Sequence, residues 1–292
     1  MERKKGRGRD ALSKDARMKY LIMDKLQFAF DLVYGLFPRQ LSGNAVEPLL
    51  VGHRGVYEHP EVLENTLAAF DIAIAHGGGL EFDLHLTRDN VVVVHHDATL
   101  LRVHRLPHAV RELTLHQLQE LAPAVPTLDE VLQRYGHSCP HYFMEPKVRD
   151  QAGMETLLQA VGVSLKQARL SGVTTLISTD HRMLDAARRI VPWLAKAVVF
   201  FVNHRGAVEY VQKHGDTGLA GWYFTYPASL ISFLEQRGLH IGVGQIDYGN
   251  THRHYRNRGF RYHFTNRIDR LVKPVEPLTL PVFSPTLVGA PG

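Results

Sequence analysis

The stretch GLEFDLHLTRDNVVVVHHD, Gly79 to Asp97, places Glu81 and Asp83 two residues apart and ends in His95-His96-Asp97. In an extended strand alternate side chains share a face. Glu81, Asp83 and His85 therefore point one way, and Phe82, Leu84 and Leu86 the other. Two neighbouring carboxylates repel, and burying them is costly unless a cation compensates. An all-oxygen set without cysteine suits a hard ion, Mg2+ or Ca2+. A solvated pair of surface acids is the plainer alternative. The adjacent histidines and the four valines at 91–94, which want burial, favour the ion.

Only Thr87-Arg88-Asp89-Asn90 separate the acidic run from the valines. Parallel neighbours need a crossover of about a dozen residues, so these two segments are expected to form an antiparallel hairpin with Arg-Asp-Asn as turn chemistry. With Arg88-Asp89 at the tip, His96 falls opposite Glu81. With Asp89-Asn90 at the tip, it falls opposite Asp83. Both registers put His96 on the acidic face and His95 off it.

Two further segments carry matching chemistry. GHRG, residues 52–55, offers His53 for proton transfer and Arg54 to grip a phosphate in fork geometry, between two glycines that permit a tight turn. A packing histidine and a surface arginine are the alternative. MEPK, residues 144–147, puts Glu145 and Lys147 on one face: a third carboxylate for the ion and a positive charge toward a phosphate, or a simple ion pair. Between them, Glu64-Asn65 precedes a helical pattern. Asn65 is expected as the helix N-cap, and Glu64 and Asn65 as residues supporting the metal site from behind.

The elements that must position these residues alternate. Strand candidates are 49–53, 80–86, 91–96, 142–147, 174–179, 197–201, 221–224, 241–246 and 261–265, with helical patterns in most gaps. That alternation predicts a parallel sheet covered by helices. Setting aside the hairpin arm leaves eight strands, which predicts an α/β fold of the closed (β/α)8 TIM-barrel type with a small insertion, about 87–125, after the second strand. The barrel is expected over 46–272. Before it, residues 1–45 form a basic extension whose Lys19–Pro38 segment repeats Ile22, Leu26, Phe30, Val33 and Phe37 on one helical face. That face either caps the barrel or, with the basic start, lies on a lipid surface; Asp24 and Asp31 count against the second reading. Residues 273–292 are Pro-rich and read as an extended tail.

The chain has 292 residues, a net charge of +5 and a pI near 9.3, a balance that attracts anionic partners without choosing among them. One cysteine, Cys139, excludes an internal disulfide framework and a cysteine zinc site. The expected location is cytoplasmic, with peripheral contact at the inner membrane surface through residues 1–38. No run reaches the ~18 apolar residues of a membrane span.

In order and spacing, GHRG, ENTLAAF, LEFDLHLTRDNVVVVHHDATLLR, ELTLHQLQEL, PTLDEVL and MEPK resemble the glycerophosphodiester phosphodiesterase family, over about Val51 to Lys147. The resemblance implies a (β/α)8 barrel with a small insertion. It also implies divalent-metal dependence and cleavage of a glycerophosphodiester to glycerol 3-phosphate and an alcohol. It further implies Glu81, Asp83 and Glu145 as metal ligands, His53 and His96 as the acid–base pair, and Arg54 and Lys147 as phosphate contacts. The second half departs. Where the family shows Trp-Thr-Val-Asn and then Ile-Thr-Asp, this chain reads Gly244-Gln245-Ile246-Asp247 and Phe264-Thr265-Asn266. The missing tryptophan leaves the head group open.

The expected substrates are glycerophosphodiesters, with lysophospholipids at a membrane surface as the alternative. A catalytically silent barrel is disfavoured by the histidine pair, which it would not need. THRHYRNRGFRYHF, 251–264, interleaves arginine and aromatics as a base-stacking surface would, but reads more simply as a solvated basic helix entering a strand. Nucleic acid is not an expected partner.

Overall fold

The computed structural model describes residues 14–36, 47–57, 59–201, 204–215, 217–223, 226, 228–239 and 241–275. The apolar runs form nine strands: β1 Leu49–His53, β2 Gly79–Leu86, β3 Val92–Val94, β4 Tyr142–Pro146, β5 Thr174–Ser178, β6 Ala195–Phe200, β7 Thr217–Trp222, β8 Ile241–Gly244 and β9 Tyr262–Thr265. Eight of them are parallel, and the sheet closes because β1 pairs with β2 on one side and β9 on the other. This is the (β/α)8 barrel expected from the alternation. β7 begins earlier than its aromatic residues suggest. Gly218 and Ala220 carry no strand signal of their own, but pairing with Ala197 and Val199 extends the strand back to Thr217.

Helices cover the barrel: α2 Leu67–Ala75, α5 Leu128–Tyr135, α6 Gln151–Gln167, α7 His181–Ile190, α8 His204–His214, α9 Ala228–Glu235, α10 Gly249–Arg256 and the short α11 Ile268–Leu271. The insertion contributes α3 Leu101–His104 and α4 Leu115–Leu121. Its own small core of Val93, Leu100, Val110, Leu113, Leu118, Ala122 and Val125 holds it against the hairpin. Inside the barrel Val51, Phe143, Ile177, Ala197, Ala220, Tyr262 and Phe264 meet from six strands. By the period of two, the inward positions next toward the carboxyl ends include His53, Glu145 and Asn266.

The hairpin has neither of the two expected registers. Leu84 pairs with Val94 and Leu86 with Val92, antiparallel. Asn90 sits in the left-handed region, φ 62°, and its N–H donates to Thr87 O at 3.0 Å, while Thr87 N–H donates to Val91 O. A left-handed residue after a tight turn adds one position, so the register falls between the two possibilities. The His95 N–H consequently donates to the Asp83 carbonyl at 3.0 Å, and the strand ends at Val94. The expected separation of His95 from His96 by strand pairing does not hold; departure from the strand separates them instead.

The first helix, α1 Lys14–Leu36, packs alongside α10. Its contact face differs from the expected one. Gln27 and Asp31 are buried and Phe30 and Tyr34 half-buried, whereas Ile22, Leu26 and Val33 are exposed. Phe37 lies outside the described residues, as do 1–13 of the extension and 276–292 of the tail.

The turn after β1 is the tightest constraint near the strand ends. A Cβ on Gly52 would meet Gly55 O at 2.2 Å and Ala73 Cβ at 2.8 Å. Gly52→Ala is therefore expected to lower stability by about 1–3 kcal/mol, measured by denaturant unfolding.

Candidate active site

The site is built at the carboxyl ends of β1, β2, β4 and β9. Parallel pairing sets His53 beside Glu81 and Asp83 beside Glu145. Glu81, Asp83 and Glu145 each bring a carboxylate oxygen within 4.8 Å of the others. The two β2 acids are almost fully buried. The sequence thus placed together the three acids it singled out, as an all-oxygen set of the kind a hard dication takes.

Cations surround this set. Lys147 Nζ lies 3.0 Å from Asp83 Oδ1 and 2.8 Å from Glu145 Oε2. The Arg54 guanidinium Nε stands 3.3 Å from Asp83 Oδ2, and its backbone N–H donates to Glu81 Oε2 at 2.9 Å. Arg54 adopts φ 52°, followed by Gly55 at φ 79°. That left-handed pair folds the chain back and aims both the backbone amide and the side chain of Arg54 at the acids.

The acids respond unequally. Burial pushes Glu81 well above the usual carboxylate range, and Asp83 and Glu145 push it further. Burial also tends to raise Asp83, but Arg54 and Lys147 overcome it and hold Asp83 well below its ordinary value. Glu145 is raised by burial against the pull of Lys147. A carboxyl whose proton affinity is raised by two neighbouring carboxylates fits a site that a dication would relieve.

His53 and His96 flank the acids. His53 Nε2 is 3.9 Å from Glu81 Oε2, and its Nδ1 is 2.7 Å from Asn266 Oδ1. Asn266 Nδ2 donates to Asp247 Oδ2 at 2.9 Å, so its oxygen is the end that faces the imidazole. His53 Nδ1–H must then donate, which leaves Nε2 free to accept a proton. Burial, then the Arg54 charge, lowers His53 to about 4. His96 Nδ1 lies 2.6 Å from Asp97 Oδ1, and Arg102 Nε donates to Asp97 Oδ2 at 2.6 Å. His96 is near enough to Asp83 and Glu145 for its charge to act on both, despite the shifted register. His95 turns away: its Nε2 lies 3.2 Å from Thr99 O and its ring neighbours His104.

Asn65 is not the helix cap, but it and Glu64 both bond to residues of the site. The N-cap of α2 is Thr66, whose side chain accepts from Ala69 N–H. Asn65, at φ 56°, instead donates from Nδ2 to Asp83 Oδ2 at 2.8 Å. Glu64 reaches none of the acids. It accepts from Arg54 Nη1 at 2.8 Å and from both terminal nitrogens of Arg102 at 2.6 and 2.7 Å. Arg102 thus joins Glu64 to Asp97 and ties the insertion to the site.

Asp97, Arg102, Asp247 and Asn266 carry much of this geometry and were not singled out for it by sequence reasoning. Asp97 adjoins His96 and could have been found by that adjacency. Asp247 and Asn266 stand where the family pattern has Asn and Asp, so the two departures exchange amide and carboxylate within one bonded pair. Asp247 accepts from Thr265 Oγ1, Asn266 N–H and Asn266 Nδ2 at 2.7–2.9 Å.

A closed (β/α)8 barrel with three converging acids and imidazoles beside them at its strand ends is an arrangement that can take a metal ion and move protons. The family model of the glycerophosphoryl diester phosphodiesterase family matches residues 53–269, and the chain belongs to that family of phosphodiesterases. A glycerophosphodiester phosphodiesterase of Caldanaerobacter subterraneus subsp. tengcongensis is 34% identical over 219 residues, covering 69% of this chain and 87% of its own length. The Bacillus subtilis protein YhdW is 32% identical over 163 residues, covering 51% of this chain and 65% of its own length. Two solved structures share the fold. One is the Thermotoga maritima glycerophosphodiester phosphodiesterase, at TM-score 0.64 and 24% identity over 77% of this chain and 96% of its own. The other is an Oleispira antarctica phosphodiesterase in complex with sn-glycerol-3-phosphate, at TM-score 0.65 and 21% identity over 75% of this chain and 93% of its own.

Two expectations follow. Asn266→Ala frees the His53 ring, and kcat is expected to fall about 10- to 100-fold with metal affinity little changed, measured by steady-state kinetics and calorimetry. The second concerns pH. A carboxyl raised in the fold, as Glu81 is, contributes stability at low pH that is lost as pH rises through its folded value. Asp83 is lowered and already charged in that window. Adding Ca2+ or Mg2+ is therefore expected to raise Tm more near about pH 8 than near about pH 5, where the ion must displace a proton.

Proposed function

We propose that this protein hydrolyses glycerophosphodiesters to glycerol 3-phosphate and an alcohol, with a divalent metal and two histidines. The observation that carries the reading is the convergence of Glu81, Asp83 and Glu145 within 4.8 Å, flanked by His53 and His96. Glu81, Asp83 and Glu145 hold the ion, Mg2+ or Ca2+. Bound there, the ion supplies charge neutralisation for the phosphate oxygens.

The chain's own groups do the rest. Arg54 and Lys147 face the phosphate and stabilise charge that grows in the transition state. One histidine takes a proton from the attacking oxygen: a water, which gives glycerol 3-phosphate directly, or the glycerol 2-hydroxyl, which gives a cyclic phosphodiester that a water must then open. The other delivers a proton to the leaving alkoxide as its bond to phosphorus breaks. His53 suits the accepting part, because burial keeps its ring neutral far into the acid range. Asn65 holds Asp83 and Asp97 holds His96, so both stay oriented while the charges move.

The alcohol side has a second candidate class, lysophospholipids. The tryptophan missing from β8 has a counterpart one strand away. Trp222 ends β7, and the exposed Phe201 just after β6 lies edge-on to it at 5.6 Å. An apolar wall at the mouth supports an alcohol carrying an acyl chain.

His53→Ala and His96→Ala are each expected to lower kcat by about 10^2- to 10^4-fold while Ca2+ or Mg2+ still binds. EDTA is expected to abolish release of glycerol 3-phosphate, and added ion to restore it. A His96→Ala enzyme with full activity contradicts the assignment.

A further inference from the structure

We propose that the outer face of α1 docks on an anionic membrane surface, with the helix held to the barrel by its polar side. Only part of the apolar surface of this helix is turned to the core, where Phe30 and Tyr34 pack against Tyr223 and Tyr255. The rest of its inward face is polar: Asp24 accepts from Tyr248 OH at 2.6 Å. Asp31 accepts from Thr251 N–H at 2.7 Å and from Asn250 Nδ2 at 3.1 Å. Ile22, Leu26, Phe28, Leu32, Val33 and Leu36 are between 44% (Leu26) and 74% (Leu36) exposed. Asp24 and Asp31 are thus turned away from a surface on that face. On the outer face the charge between these apolar residues is Lys25, whose long stem can lift its ammonium to the headgroups.

Charge selects the occupant. Residues 1–19 contain eight Lys or Arg and three Asp or Glu, a net +5 equal to that of the whole chain. The remaining 273 residues hold 26 of each sign. All of the excess positive charge is therefore at the start of this helix. An apolar helical face led by a basic segment is the chemistry of an interfacial helix on anionic lipid. Two copies joined through this face with their helices parallel would bring two such segments together, and they repel. Among the described residues no helix is long and apolar enough to cross a membrane, so the contact is along the surface.

The placement also faces the site. Gln27 reaches Gln245 and Asp24 reaches Tyr248, just past the carboxyl end of β8, while Tyr34 stacks on His254 farther along α10. α1 therefore runs with α10, and Lys14–Met23 continue it about 15 Å beyond the mouth end. Docking of this kind is independent of what the site hydrolyses.

Co-flotation of the full chain tests it, with vesicles of phosphatidylcholine alone and of phosphatidylcholine mixed with phosphatidylglycerol. Binding to the mixed vesicles is expected to exceed binding to phosphatidylcholine by about tenfold or more, and to weaken with salt. The double variant Leu32→Glu, Val33→Glu should lose that binding about tenfold or more, with thermal unfolding and hydrolysis of a soluble diester unchanged. Should that variant not fold, replacing Arg3, Lys4, Lys5, Arg7 and Arg9 by Gln decides, because it leaves the apolar face intact and should remove the preference for anionic lipid. Equal binding to both vesicles, or no binding, overturns the proposal. So does a wild-type dimer that the glutamates dissolve while vesicles stay unbound, since a second copy would then cover the face.

Discussion

Three carboxylates from two neighbouring strands cannot share a buried pocket without positive charge between them. Glu81, Asp83 and Glu145 do share one, and the surrounding architecture answers that constraint. Arg54 contributes an amide and a guanidinium from a left-handed turn, Lys147 bridges two of the acids, and Asn65 donates to a third oxygen position. Glu81 still retains a strongly raised proton affinity. The protein's own cations balance the cluster only in part, which is the basis for proposing a hard dication there.

The barrel makes this possible through its alternation. The inward positions that fill the centre with Val51, Phe143 and Phe264 continue, two residues on, as His53, Glu145 and Asn266. One periodicity therefore supplies both a dry floor and a polar rim. Around that rim the polar groups are joined in two chains. Asp247 and Asn266 hold His53 from the last strand. Arg102, Asp97 and Glu64 bind His96 and Arg54 to the insertion. Each histidine thus has its Nδ1 held by the scaffold, and His53 Nε2 stands 3.9 Å from Glu81 Oε2.

Most of the architecture was legible in the sequence, because strand and helix periods, the short hairpin connection and the clustered motifs are local signals. The acids and Lys147 fell on one face by the period of two alone. What was not legible depends on single backbone states or on partners far along the chain. Asn90 in the left-handed region shifted the hairpin register by one residue. Asn65 adopts the same region and passes the capping position to Thr66. The Asp247–Asn266 pair looked like two unrelated departures from the family pattern, and becomes a compensated exchange only when β8 and β9 are seen side by side. The expected α1 stripe is split, with Phe30 packed inward and Ile22, Leu26 and Val33 exposed, because tyrosine, threonine and asparagine donors near α10, which a helical wheel does not contain, hold the helix by Asp24 and Asp31.

The most direct measurement is a crystal structure of the protein with bound calcium or with manganese as an anomalous scatterer. The account predicts one ion ligated by oxygens of Glu81, Asp83 and Glu145 at about 2.3–2.6 Å for calcium, with Lys147 displaced from at least one carboxylate. An ion bound elsewhere, or the three acids still held by Lys147 and Arg54 with no ion between them at saturating concentration, would contradict it.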